Sequence, residues 1–157
     1  MPNAKNHLIV ALDVETLEEA KKIVKSIGDS VETYKVGHQL FTICGIEIIS
    51  YLASKNKKIF LDLKYHDIPN TVAHAVKSAV GLNQKFSDQP IILCTLHACG
   101  GEEMMREAAI AAKEQSKELN VQAPKLVGVT VLTSEAKTDK TEQTILDRDR
   151  VAGEGGD

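Results

Sequence analysis

Several things are scarce in this sequence. Aromatic residues make up 4% of its 157 positions, and no arginine-rich stretch or base-stacking stripe is present. With a net charge of −3 and no basic cluster, nothing asks for nucleic acid or an anionic membrane. Cysteine occurs only at Cys44, Cys94 and Cys99, an odd number without CxxC spacing, which reads as buried reduced thiols rather than disulfides or a metal site. No apolar run approaches the roughly 20 residues of a membrane span. The polar start Met1-Pro2-Asn3-Ala4-Lys5 and the short run Leu8–Leu12 do not make a signal peptide, so a cytoplasmic protein is expected. What is there, 43% apolar and 26% charged residues, is the composition of a globular domain. The length is enough for one core, since domains commonly run to roughly 100–150 residues.

Two kinds of apolar pattern alternate along the chain. Leu8-Ile9-Val10-Ala11-Leu12 is short and continuously apolar, as a strand covered on both faces should be. After Asp13, Thr16 can cap a helix that carries Glu18 and Glu19 in its positive first turn. Leu17, Ala20, Ile23, Val24 and Ile27 give that helix one stripe, and Gly28 suits its C-cap. The cycle repeats with strands expected at Val31–Val36, Lys58–Leu63, Ile91–Leu96 and Leu126–Leu132. The helices between them are expected through Ile46–Ala53, through Val72, Ala75, Val76, Ala79 and Val80, and from about Glu102 to Leu119. Such alternation argues for βα units and a parallel sheet. Gly81–Pro90 reads as a longer polar connection than such units need. After Ser134 the pattern fails, so residues 1–134 are expected to fold and 135–157 to form a flexible polar tail.

The chemistry-bearing stretch is Phe60-Leu61-Asp62-Leu63-Lys64-Tyr65-His66-Asp67-Ile68-Pro69-Asn70-Thr71. Side chains two apart on a strand share a face, so Asp62 and Lys64 point together while Leu61 and Leu63 face the other layer. Charges inside an apolar strand are costly unless paired. At the C-terminal end of a parallel strand they also stand where α/β folds place ligands. The other strand ends repeat the theme with Asp13, Lys35, His97 and Thr133-Ser134, which together describe a ring around one mouth. A buried ion pair without a catalytic role would explain Asp62 and Lys64 alone, but not the same pattern at Asp13 and Lys35. His66 and His97 could ligate a metal, although none is expected. Gly100-Gly101 fits a tight βα turn better than an anion site.

Ala11-Leu12-Asp13, Lys35-Val36-Gly37 and Asp62-Leu63-Lys64-x-x-Asp67-Ile68-Pro69-x-Thr71 together resemble the signature of the orotidine 5′-phosphate decarboxylase family. His97-Ala98-x-Gly100-Gly101 and Leu132-Thr133-Ser134 extend the resemblance in the same order, over about residues 8–134. The resemblance implies a (β/α)8 barrel, a homodimer, and a metal-free, cofactor-free conversion of orotidine 5′-monophosphate to uridine 5′-monophosphate and CO2. It implies Lys64 as the general acid that protonates C6 of the pyrimidine, with Asp62 beside the departing carboxylate. Lys35 and Asp67 would complete an alternating array of two cations and two anions, Asp67 reaching into the neighbouring subunit's site. Asp13 and Lys35 would hold ribose hydroxyls together with the partner chain's Thr71, and Thr133 would contact the pyrimidine.

Against a barrel of about 250 residues, the sequence is expected to supply only about the first five βα units. The family's later phosphate-gripping segments, Pro-Gly-x-Arg and a Gly-Arg pair, do not occur in it. An unclosed sheet should expose strand edges and apolar faces, and lost phosphate contacts should weaken catalysis. Two rivals stand beside this reading. One is a Mg²⁺-dependent sugar-phosphate decarboxylase or synthase of the same superfamily, against which Ile68-Pro69-Asn70-Thr71 argues. The other is a non-catalytic remnant that only associates or binds nucleotide weakly.

Overall fold

A computed structural model describes residues 7–132 and 134. Its elements run β1 (Ile9–Ala11), α1 (Leu17–Ile27), β2 (Thr33–Gly37), α2 (His38–Cys44), α3 (Ile46–Ser54), β3 (Lys58–Tyr65), α4 (Pro69–Gln84), β4 (Ile91–His97), α5 (Gly101–Leu119) and β5 (Lys125–Val129). The strands form one parallel sheet in the order β1-β2-β3-β4-β5. Sequential parallel order requires a crossover after every strand, and right-handed crossovers place all the helices on one side.

The packing bears this out. Leu12, Tyr34, Val36, Ile59, Leu61 and Cys94 from the sheet are buried with Ala20 and Val24 of α1, Leu40 of α2, and Ile48, Ile49 and Leu52 of α3. A second cluster joins Val72, Val76 and Val80 of α4 to Met104, Ala108 and Ala112 of α5 over Leu96. Alternate residues of the strands therefore face the helices, except that a register shift between Ile59 and Phe60 resets the alternation in β4, where both Ile91 and Cys94 are in the core. Lys35, Asp62, Thr95 and Val127 belong to the other, concave face.

Local chemistry sets the element ends. The Thr16 hydroxyl accepts from the Glu19 amide at 3.2 Å and donates to the Glu19 carboxylate at 3.0 Å, a reciprocal cap at the start of α1. Gly28, at φ +58°, ends that helix as expected. Lys57 is buried, yet its ammonium is satisfied by the carbonyls of Gly28 and Val31, at 2.7 and 3.0 Å, and by Asp29 at 3.5 Å. It thereby ties the end of α1 to the start of β3. Asn83 does the same for α4: its amide donates to the Ile91 and Gln122 carbonyls and accepts from the Ile91 amide.

The structure departs from the sequence reading at five points. The first strand is not covered on both faces: Ile9 is 47% exposed, because β1 pairs only with β2 and its concave side is open among the described residues. His38–Cys44, where apolar spacing points to no element, forms α2, which a positive φ at Gly45 separates from α3. Gly81–Gln84 continues α4, so the polar connection shortens to residues 85–90. The fifth strand ends at Val129, the last residue to find a partner, His97, on β4. Of the thiols only Cys94 is buried, and burial pushes it up to about 12. Cys44 is half-buried and Cys99, on the turn after β4, is exposed. The tail expected over 135–157 lies outside the described residues. None of the helices among the described residues is long and apolar enough to cross a membrane.

Candidate active site

Four charged side chains meet at the C-terminal ends of β1, β2 and β3. The Lys35 ammonium donates to Asp13 Oδ1 at 3.0 Å and lies 3.6 Å from Asp62 Oδ2. Asp62 Oδ2 also accepts from Lys64 Nζ at 2.9 Å. The result is an alternating row, Asp13–Lys35–Asp62–Lys64, with Asp13 toward solvent and Asp62 almost enclosed. Gly37 lies against it: a Cβ there would come within 3.5 Å of Lys35 Nζ and 3.7 Å of Asp13 Oδ1. The missing side chain thus leaves room beside the row.

Alternation along β3 brings Asp62 and Lys64 to one face as expected, but the strand is not regular there. From Leu61 to Tyr65 β3 advances four residues while β4 advances two, from Cys94 to Leu96. An excess of two residues keeps the side-chain parity that a slip of one would reverse. Lys64 sits within this bulge at φ +43°. A side chain in the left-handed region costs about 1 kcal/mol or more. The cost is offset locally, since the Lys64 amide donates to Thr95 Oγ1 at 2.8 Å and its ammonium is paired with Asp62.

Thr95 was not singled out by sequence reasoning, and it is central. Its hydroxyl donates to Asp62 Oδ1 at 2.9 Å, and it is 2% exposed. The available signal was parity: it is a lone hydroxyl in the apolar run Ile91–Leu96, two residues before His97 and so on the same face. Burial by itself would raise the Asp62 carboxyl. The hydrogen bonds from Lys64 and Thr95 and the charges of Lys64 and Lys35 outweigh it and hold the group below its ordinary 3.8.

Other expected site residues are not in the row. Asp67 is exposed on the loop after β3, where its carboxylate accepts from the Ile68 amide at 2.7 Å. Thr71 is exposed in the first turn of α4, whose Pro69 occupies the position that needs no amide hydrogen. Thr133 lies outside the described residues. The rings of His66 and His97 stand 5.4 Å apart, and His97 Nδ1 is buried without a partner among the described residues. Gly100-Gly101 forms the tight entry to α5, where a Cβ on Gly100 would collide with the Met104 side chain.

The arrangement suits cation chemistry better than metal binding. Both oxygens of Asp62 are occupied, one by a hydroxyl and the other by two ammonium groups, so a divalent ion there would meet positive charge. Among the described residues no three of His, Cys, Asp and Glu converge as metal ligands. An ammonium held between carboxylates is placed to meet developing negative charge or to give up a proton.

Fold and site define a class: a sequential, singly wound α/β protein of the (β/α)8 type, with its polar groups at the C-terminal ends of the strands. The profile of the orotidine 5′-phosphate decarboxylase / HUMPS family matches residues 6–154. The chain is 43% identical over 131 residues to the orotidine 5′-phosphate decarboxylase of Syntrophomonas wolfei, covering 83% of this chain and 52% of that one. It is 46% identical over 129 residues to that of Glaesserella parasuis, with 82% and 51% covered. The crystal structure of orotidine 5′-phosphate decarboxylase from Lactobacillus acidophilus superposes with a TM-score of 0.74 at 37% identity, over 89% of this chain and 58% of that one. The chain belongs to the orotidine 5′-phosphate decarboxylase / HUMPS family. It spans about half the length of the curated relatives it matches.

Proposed function

We propose that this chain carries the reacting half of an orotidine 5′-phosphate decarboxylase site and acts in pyrimidine biosynthesis. The observation that carries the reading is the Lys64 ammonium held 2.9 Å from Asp62 in an alternating row of charge. The C6–carboxylate bond of orotidine 5′-monophosphate breaks and CO2 leaves, while the electron pair remains on C6. No ring carbonyl delocalises that pair readily, so a fixed, poorly solvated cation is the useful tool. Lys64 then transfers one ammonium proton to C6, giving uridine 5′-monophosphate, and is reprotonated by solvent. Asp62 repels the substrate carboxylate and so favours its departure. Asp13 and Lys35 hold the ribose; the pyrimidine contact expected of Thr133 lies outside the described residues. The reaction needs no metal or cofactor.

The exposure of Asp67, Ile68 and Thr71 supports a homodimer in which this loop and helix end reach the neighbouring site. The three free thiols suit the reducing cytoplasm.

The test is the loss of orotidine 5′-monophosphate absorbance with the full chain, with and without EDTA, beside Lys64→Ala. Turnover that survives EDTA and is absent in the variant supports the reading. Turnover that EDTA abolishes contradicts it in favour of a metal-dependent relative. Absence of turnover assigns the chain to association or weak nucleotide binding.

A further inference from the structure

We propose that Thr95 is a positioning residue whose hydroxyl fixes where the Lys64 ammonium stands, by holding the Lys64 backbone and the Asp62 carboxylate at once. As a statement about catalysis this rests on the decarboxylase reading; as a statement about geometry it does not.

The direction of each bond is forced. A backbone N–H can only donate and an ionised carboxylate can only accept. The Thr95 hydroxyl, bonded to both at 2.8 and 2.9 Å, must accept from the Lys64 amide and donate its one proton to Asp62 Oδ1. The second Asp62 oxygen accepts from Lys64 Nζ at 2.9 Å, which closes a ring from Lys64 backbone to Thr95, to Asp62, and back to the Lys64 side chain. Lysine's flexible four-carbon stem would otherwise leave its charge free to wander. Both ends of that stem are held here by partners that share one hydroxyl.

Among the described residues the Lys64 amide and Asp62 Oδ1 are bonded by no other side chain than Thr95. The bulge removes Lys64 from the ladder, because β3 and β4 pair at Leu61↔Cys94 and next at Tyr65↔Leu96. Its amide therefore depends on a side chain, at a residue whose φ of +43° needs holding. Thr95 is itself buried in β4 between β3 and β5, opposite Val127.

The experiment compares the full chain with Thr95→Val and Thr95→Ser by NMR, reading the pH titration of the Asp62 side-chain carboxyl carbon and the hydrogen exchange of the Lys64 amide. Valine keeps the shape and removes the hydroxyl, whereas serine keeps the hydroxyl and removes the methyl. In Thr95→Val the Asp62 midpoint should rise by about one pH unit and Lys64 exchange should quicken about tenfold. Thr95→Ser should retain the parent values of both. If packing of the methyl is all that matters, valine will be silent and serine will be the damaged variant, which overturns the proposal. Should Thr95→Val fail to fold by circular dichroism, serine decides alone: parent-like readings support the role, and shifted ones overturn it. Neither readout needs turnover. Failure of the decarboxylase reading shows as missing activity with the NMR pattern intact, and failure of this inference shows as an Asp62 titration indifferent to valine.

Discussion

On the helix side of the sheet Tyr34, Val36, Ile59 and Leu61 are shut away from water, whereas on the concave side of the same strands Lys35, Asp62 and Lys64 stand in an ionic row. Elsewhere on that concave side Ile9, at the start of β1, and Val127 of β5, beside Thr95, remain 47% and 40% exposed. Leu61 and Asp62 are consecutive residues, so one peptide bond separates the two regimes. The helix side is held by burial, which is non-directional and worth about 1.5–3 kcal/mol per large side chain. The concave side is held by a few directed bonds whose net contribution is small but whose geometry is specific. Damage to the first should unfold the protein. Damage to the second should leave it folded with its charges misplaced.

The largest stability effect expected is on the helix side. Leu61→Ala should cost about 2–5 kcal/mol in urea unfolding, with the Asp62 titration unchanged in the molecules that remain folded. A cost under about 1 kcal/mol would mean that the outer face is not the principal support. A smaller effect concerns Lys64. Because its φ is +43°, Lys64→Gly should be more stable than Lys64→Ala by about 1 kcal/mol, since both lose the ammonium and only glycine escapes the strain. Equal stabilities would remove the left-handed residue from the account.

The smallest effect is pH-dependent. The folded-state pKa of Asp62 lies below its ordinary value of 3.8, so its contribution is present above that pH and is lost as the pH falls through the lower folded value. The difference in stability between the parent chain and Asp62→Asn should therefore be greatest near neutrality and shrink below pH 3.8. A difference independent of pH would show that the ion pairs around Asp62 add nothing beyond shape.

The contrast between the two faces also explains what could be read in advance. Burial leaves a periodic trace, so all five strands and the helices α1, α3, α4 and α5 were legible from apolar spacing. Where burial is local or a partner runs out, the trace fails. Helix α2 is a seven-residue segment ended by Gly45, and β5 stops at Val129 because β4 pairs no further. Charges are conspicuous in an apolar strand, so Asp13, Lys35, Asp62 and Lys64 stand out in the sequence; their side chains meet in one row, in which Asp13 and not Asp67 is the second anion. Thr95 carries no charge, and neither its hydrogen bonds nor the positive φ of Lys64 leaves a pattern in a single sequence. Asp67 and Thr71 were read from resemblance, and their exposed positions separate them from the row within one chain.

Whether the ligand meets this protein at the charged strand ends is decided by a uridine 5′-monophosphate titration followed by amide chemical shifts. Shifts should concentrate at Asp13, Lys35, Gly37, Asp62, Lys64 and Thr95. A different cleft, of about 520 Å³, lies on the helix layer between α1 and the end of α3, beside Lys22, Lys25, Lys55 and Tyr51. Shifts concentrated there, with the strand ends unmoved, would contradict that placement.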